Sequence, residues 1–237
     1  MKKVQEHYDA VADIYDDRYD RKRGSSYHAH ISAQVMRRLP ADAEMLDLGC
    51  GTGLFVQRYT QNGGRAVGLD ISPRMVGKAR RRCPESEFLV GTADVLPFCD
   101  ETFSALASLL AFSYLPDPAA MLRESFRVLR PGGRIAICTL GRNVFTSVVP
   151  IIYRIGEKVG LLKVGMGDFG ERYYSEREMI ALLADAGFVE VQANRCSFAH
   201  LNLIDPLYDL AKRVEPFIEE KIPYLAYNVC ASGKKPD

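Results

Sequence analysis

The run Met45-Leu-Asp-Leu-Gly-Cys-Gly-Thr-Gly-Leu-Phe55 constrains this chain more than any other segment. It reads as a strand, a glycine-rich turn and the start of a helix. Met45 to Leu48 form a short apolar strand with one acid, Asp47, inside it. Gly49, Gly51 and Gly53 follow at alternate positions, where the backbone can take dihedrals that other residues avoid. With no side chains there, the backbone can approach a ligand closely, and the following helix offers free N–H groups. A nucleotide-like cofactor is the expected occupant, and the spacing decides which one.

A dinucleotide site has the spacing G-x-G-x-x-G, which sets a pyrophosphate on the helix N-terminus. Here the third glycine comes one residue early, and Leu54 stands where that site needs glycine. Asp47, two residues before the first glycine, would repel a pyrophosphate but suits a cation. The pattern D-x-G-x-G-x-G resembles the first motif of the class I S-adenosylmethionine-dependent methyltransferases. The resemblance implies S-adenosyl-L-methionine as cofactor, a molecule that carries an ammonium and a sulfonium and no phosphate.

At 237 residues the chain can bury a sizeable core. An apolar fraction of 47% is ordinary for a globular protein, and a formal net charge of +1 gives no general pull toward nucleic acid or an anionic membrane. The basic run Lys78-Ala-Arg80-Arg81-Arg82 reads as the solvated end of a helix, where cations suit the macrodipole. The six cysteines form no C-x-x-C pair and the four histidines do not cluster near them, which argues against a zinc site or a disulfide framework. No apolar run follows the N-terminal lysines and no stretch approaches the length of a membrane span, so a reducing cytoplasm is the expected compartment.

Val4, Tyr8, Val11 and Tyr15 recur at helical spacing among acidic residues and predict an amphipathic N-terminal helix. A turn is expected at Gly24-Ser25-Ser26, then a helix from about Tyr27 to Leu39. Strands and helices then alternate. Strands are expected at 45–48, 66–69, 87–90, 105–110 and 134–140, the last entered through a turn at Arg130-Pro-Gly-Gly133. Ser72 and Pro73 read as an N-cap and first helical residue, and Ser175-Glu-Arg-Glu178 as a capping box. That second helix is expected to turn Met179, Ile180, Leu182 and Leu183 inward and to stop at Gly187. Later elements are a strand at 188–192, a helix at 207–214 broken or kinked by Pro216, and a last strand at 227–231.

Asp70 lies 21 residues beyond Gly49, at the end of the second strand, where a carboxylate can accept both hydroxyls of a ribose. The resemblance covers about residues 1–140 and 175–192. It is closest to the branch of ubiquinone and menaquinone C-methyltransferases and small-molecule methyltransferases. Carried over, it places Asp47, Gly49, Gly51 and Gly53 around the methionine part of the cofactor and Asp70 on the ribose. Ile71 and Met75 would lie along the adenine, with Asp94 and Val95 at its edge and Leu110 and Ala111 near the sulfonium. Ser104 and Ser113-Tyr114 depart from the branch, whose members often carry an acid and a His-His pair there. The Asn/Asp-Pro-Pro-Tyr/Phe motif of base- and glutamine-directed enzymes is absent. Tyr8, Tyr15 and Tyr19 form a stripe with two readings, a helix packed on the core or a lid over the cofactor whose rings attract a sulfonium.

The implied architecture is an α/β, Rossmann-like three-layer sandwich with a seven-stranded, mostly parallel sheet and an antiparallel last strand. One domain is expected, with a helical lid at about 1–40 and cap segments at about 141–174 and 197–224. Methyl transfer needs mainly alignment and water exclusion, so no strong catalytic constellation is required. Tyr114, Tyr173 and His200 qualify as catalytic candidates by position only; His28 and His30 read as surface or packing residues. The apolar run Val144 to Ile155 and Phe198, Leu201, Leu203, Leu207 and Tyr208 suggest a cap over a partly apolar, quinone-like or lipid-like small molecule. The first run could instead pack in the core or touch a membrane surface. Alternatives are a polar metabolite methylated on oxygen or nitrogen, a nicotinamide dehydrogenase, and a binding protein without catalysis. The sequence leaves the oligomeric state open.

Overall fold

The computed structural model describes residues 2–143, 171–199, 203 and 205–237. Among them, β1 (Glu44–Leu48), β2 (Arg65–Asp70), β3 (Glu87–Val90), β4 (Phe103–Leu109), β5 (Leu129–Leu140), β6 (Val189–Cys196) and β7 (Asn228–Lys234) form one sheet. Its order is β3-β2-β1-β4-β5-β7-β6. The neighbours from β3 to β5 pair in parallel, and β7 runs antiparallel to both β5 and β6. The chain leaves β1 toward β2 and β3, then returns to place β4 on the other side of β1. The connections after β1 and β4 therefore diverge, opening a crevice at the carboxyl ends of these strands.

Side chains alternate across the sheet with the period of a strand. Met45, Ala66, Ala105, Ala107, Ala136 and Cys138 face α3 (Lys22–Met36), α4 (Leu54–Gln61) and α5 (Pro73–Arg82). Leu46, Leu48, Leu69, Leu106, Ile135 and Ile137 face α6 (Pro118–Val128) and α7 (Glu176–Asp185). The first face is rich in alanine and cysteine at the centre, which lets α3 settle close on β4 and β5. Ile31 and Val35 of α3 are fully buried there, each contributing about 1.5–3 kcal/mol by area.

Local capping signals operate as read. The Ser72 hydroxyl accepts from Met75 N–H at 3.1 Å, and Ser175 and Glu178 close a reciprocal capping box. Several expectations are corrected. The N-terminal helix α1 spans Lys2–Val11, so Tyr15 lies beyond it, ahead of the short α2 (Asp17–Asp20). Gly24-Ser25-Ser26 is not a turn but lies inside α3. A Cβ on Gly24 would fall 1.7 Å from the Arg18 carbonyl oxygen, so glycine serves close approach to α2. Ile180 faces outward at 38% exposure. Arg130 to Gly133 bulge out within β5, because Phe103 pairs with Leu129 but Ala105 with Arg134.

The helix α8 (Asp205–Lys221) runs through Pro216. Proline costs the helix one backbone bond. Contacts on both sides of it hold the axis: Tyr208, Ala211 and Ile218 are buried, and Glu215 and Glu219 both face His30 of α3. Within the second cap segment Tyr208 packs on Ala199 while Leu207 is exposed. The run Val144–Ile155, His200 and Leu201 lie outside the described residues. Among the described residues no helix is long and apolar enough to cross a membrane.

Candidate cofactor and acceptor site

The glycine turn sits at the crevice between β1 and β4. Gly49 N–H and Cys50 N–H both donate to the Leu69 carbonyl, at 2.8 and 3.1 Å, and Gly51 N–H donates to the Asp70 carboxylate at 2.8 Å. Gly49 has φ +77°, and a Cβ on it would lie 2.2 Å from the Ala111 Cβ. Both backbone angle and space therefore require glycine. Gly53, with φ +81°, opens α4; a Cβ there would crowd Ala79 of α5 at 3.1 Å, so this glycine serves helix packing.

Asp47 is fully buried beneath this turn, and neither carboxylate oxygen has a hydrogen-bond partner among the described residues. Burial, and then the nearby Asp70 charge, push its pKa up to about 8. A buried carboxylate left unpaired is costly and marks a place for a cation. Asp70 is better served, accepting from Gly51 N–H and, at 2.9 Å, from Ser72 N–H. Burial still moves its carboxyl upward against these bonds. Each of its oxygens keeps a further lone pair for a ligand hydroxyl.

Two contiguous cavities meet at Tyr15, Gly49, Gly51 and Leu110. The larger encloses about 770 Å³ of space, counting the part open to solvent. Tyr8, Asp70, Ile71 and Met75 line it. Asp47 and Tyr19 line the smaller one, with His28. Gly53, Asp94 and Val95 line neither; Gly91, Thr92 and Ala93 form that wall of the larger cavity. Val95 is 72% exposed, and one Asp94 oxygen is buried without a partner among the described residues.

The tyrosine stripe closes the cavities from the N-terminal side. The Tyr8 ring meets Tyr15 and Tyr114 edge-on at 6.1 and 6.0 Å, and Tyr15 lies 5.8 Å from Tyr19. The Arg18 guanidinium stacks on Tyr15 at 4.6 Å and on Tyr19 at 5.8 Å, and no described carboxylate pairs with it. Sequence reading passed over Arg18, which has no motif; only the fold sets it over the two tyrosine rings. The acidic residues around the stripe fasten this segment to α5. Asp9 accepts from the Ser72 hydroxyl at 2.5 Å, Arg74 pairs with Asp13 at 2.6 Å, and Arg82 pairs with Asp16 at 2.7 Å. Asp16 also accepts from the Thr52 hydroxyl at 2.6 Å, tying the segment to the glycine turn. The basic helix end is thus a docking strip in part, and not simply a solvated face.

On the opposite wall, Leu110 has φ +62°, a left-handed conformation that costs a branched residue on the order of 1–3 kcal/mol. It holds the chain at the cavity as β4 ends. Ser113 is committed to structure, with its hydroxyl 2.6 Å from that of Thr139, while Tyr114 lines the larger cavity. His28 is buried and accepts from Arg58 Nε at 3.2 Å; burial, then Arg58 and Arg82, lower its pKa to about 3. It remains neutral and packs edge-on against Tyr19 at 5.1 Å. His30 pairs with Glu219 at 2.7 Å, away from the cavities. Cys138, Cys196 and Cys230, distant in sequence, bring their sulfurs within 4.8 Å of one another on adjacent strands, a clustering that spacing did not foretell.

Residues 46–137 match the methyltransferase domain family. A demethylmenaquinone methyltransferase of Tropheryma whipplei is 28% identical over 188 residues, 74% of this chain and 79% of that protein. A malonyl-[acyl-carrier protein] O-methyltransferase of Erwinia pyrifoliae is 34% identical over 145 residues, 59% of this chain and 55% of that protein. Among solved structures, a Thermotoga maritima S-adenosylmethionine-dependent methyltransferase shares the fold. Its TM-score is 0.67 at 22% identity, covering 97% of this chain and all of that one. The glycine turn, the unpaired acid beneath it and these likenesses agree: residues 46–137 carry a methyltransferase domain, and the chain is similar to S-adenosylmethionine-dependent methyltransferases.

Proposed function

We propose that the chain transfers the methyl group of S-adenosylmethionine to a small, partly apolar acceptor of the hydroquinone class. In this reading the smaller cavity takes the methionine end of the cofactor. Asp47 receives its ammonium, and Arg18, half-buried and stacked on the Tyr15 and Tyr19 rings of that cavity's wall, receives its carboxylate. Asp70 takes the ribose hydroxyls, with Ile71 and Met75 along the adenine. Asp94 and Val95 lie next to the wall formed by Thr92 and Ala93, so an adenine contact there would pass through backbone or the unpaired Asp94 oxygen. Tyr8, Tyr15 and Tyr19 act as a lid, fastened through Asp9, Asp13 and Asp16 to α5. The cofactor supplies an activated methyl group on a sulfonium. The chain supplies alignment, a dry cavity and the charges that hold the ends.

The observation that carries the acceptor class is the composition of the larger cavity. Val4, Leu110, Leu115 and Met121 give it apolar walls, and Tyr8 and Tyr114 add hydroxyl-bearing rings. Such a lining suits a flat aromatic ring with polar substituents at its edge. The demethylmenaquinone methyltransferase of Tropheryma whipplei supports the same class by its name. Methylation of a carboxyl oxygen is the second reading, favoured by the likeness to the malonyl-[acyl-carrier protein] O-methyltransferase. We read the chain as one domain, its cap segments belonging to acceptor choice.

The test uses S-adenosylmethionine labelled on the methyl group, incubated with the protein and a total cell extract. Protein-dependent label in the lipid fraction supports the hydroquinone reading. Label in the polar or macromolecular fraction replaces it with the second.

A further inference from the structure

We propose that Glu171 is the proton acceptor of the methyl-transfer reaction, taking the acceptor's proton through the Tyr114 hydroxyl at the cavity wall. This rests on the hydroquinone reading above. After β4 the chain makes a single 3-10 turn, Phe112–Tyr114. Arg172 N–H donates to the Ser113 carbonyl at 3.0 Å, and its guanidinium donates to the Pro116 carbonyl at 3.0 Å. Tyr174 N–H bonds the Leu140 carbonyl at 3.0 Å, and Arg142 N–H bonds the Tyr174 carbonyl at 2.8 Å. These bonds lay residues 171–174 beside the turn and bring Glu171 next to Tyr114.

One Glu171 oxygen accepts from the Tyr173 hydroxyl at 3.1 Å. The other is buried and has no hydrogen-bond partner among the described residues. Tyr114 lies between Glu171 on one side and the Tyr8 ring, 6.0 Å away, on the other. Tyr8 and Tyr114 both line the cavity. The carboxylate thus has unused acceptor capacity, a hydroxyl between it and the cavity, and little access to water. Among the described residues the groups facing it are Tyr173 and Tyr114, with Tyr8 and Tyr15 beyond Tyr114, and the Arg172 guanidinium is directed to the Pro116 carbonyl. Burial raises the Glu171 carboxyl above its ordinary range, against the hydrogen bond from Tyr173 and the nearby Tyr114 hydroxyl. That shift brings the group closer to the basicity a neutral-pH proton acceptor needs.

The reaction balances as follows. The hydroquinone O–H proton passes to the Tyr114 oxygen as the Tyr114 proton passes to the free Glu171 oxygen. The electron pair left on the acceptor delocalises to the adjacent ring carbon. That carbon bonds the methyl carbon as the sulfur–methyl bond breaks, and the breaking pair remains on sulfur. Loss of the ring C–H proton and reprotonation of the ring oxygen restore the aromatic ring. One proton per turnover leaves to solvent. Tyr114 touches the acceptor and is the catalytic residue; Glu171 acts through it.

The test follows methylation of 1,4-naphthohydroquinone under anaerobic conditions, across pH, for the wild type, Glu171→Gln and Tyr114→Phe. Cofactor affinity is measured calorimetrically for all three, and the glutamate carboxyls are titrated by carbon-13 magnetic resonance. We expect E171Q to lower kcat by about 10²-fold or more, with KM and cofactor affinity little changed. We also expect it to remove the acid limb of the pH–kcat profile, whose midpoint should match the carboxyl resonance missing from E171Q. Tyr114→Phe should give a similar loss, and the double variant no further one. An unchanged acid limb in E171Q, with the wild type active, overturns the proposal alone. Cofactor binding without methylation of the probe by the wild type overturns the hydroquinone reading and this assignment with it. Failure to bind the cofactor overturns the site itself.

Discussion

Replacing Asp47 by asparagine should stabilise the cofactor-free protein, and more so as pH rises. The carboxyl has an ordinary value of 3.8 and is pushed to about 8 in the fold by burial, then by Asp70. The native state therefore keeps a proton that the unfolded chain releases, and stability falls with pH between these values. The slope is about 1.4 kcal/mol per pH unit, giving a loss on the order of 4 kcal/mol at pH 7 relative to pH 4. It levels off above the folded value. A protonated carboxyl and an amide present similar unpaired polar groups at this site, so D47N should resemble the wild type at low pH and diverge from it upward. With about 2–4 °C of Tm per kcal/mol for a chain of this length, the gap at pH 7 is on the order of 10 °C. Thermal and urea melts of both proteins at pH 5 and pH 8, without cofactor, measure it. Contributions of other titrating groups cancel in the difference. Stability curves that stay parallel across this range would refute the reasoning, because they would mean Asp47 is either solvated or paired in the folded state.

Asp70→Ala should weaken cofactor affinity by about 10²-fold, the scale of a lost charged pair of hydrogen bonds, and also lower stability by about 1–3 kcal/mol. The second effect arises because Gly51 N–H and Ser72 N–H lose their acceptor; calorimetry and urea denaturation separate the two. Gly24→Ala should cost about 1–3 kcal/mol despite the better helix propensity of alanine, since its Cβ would meet the Arg18 carbonyl at 1.7 Å. A neutral or stabilising result in a thermal melt would return that position to an ordinary helix interior.

Most of the strand and helix order was legible, because it is written in local signals. The alternation of apolar strands with capped helices, the Ser72-Pro73 cap and the Ser175–Glu178 box act within a few residues of themselves. The glycine turn and Asp47 were legible for the same reason: their spacing sets the geometry directly. What escaped was tertiary. Gly24-Ser25-Ser26 has turn composition, yet the approach of α3 to α2 decides its conformation. Pro216 reads as a break, but buried residues on either side carry α8 through it. Arg82 looks like part of a solvated helix end until Asp16 and Thr52 are brought against it by the N-terminal segment. Arg18 and Glu171 belong to no motif, and only the fold sets Arg18 over Tyr15 and Tyr19 and Glu171 beside Tyr114. The three clustered cysteines come from three strands that are neighbours only in the folded sheet.

The most direct test of the site is the proton balance of S-adenosylmethionine binding, measured by calorimetry at pH 7 in buffers of different ionisation enthalpy. An ammonium seated on Asp47 favours the ionised carboxylate, so a group with a free-protein value of about 8 must give up its proton on binding. The account predicts release of about 0.9 proton per cofactor bound by the wild type, and a release close to zero by Asp47→Asn, which should also bind more weakly. Tight binding by the wild type with no proton released, or equal release by D47N, would contradict it and move the cofactor's ammonium to another residue.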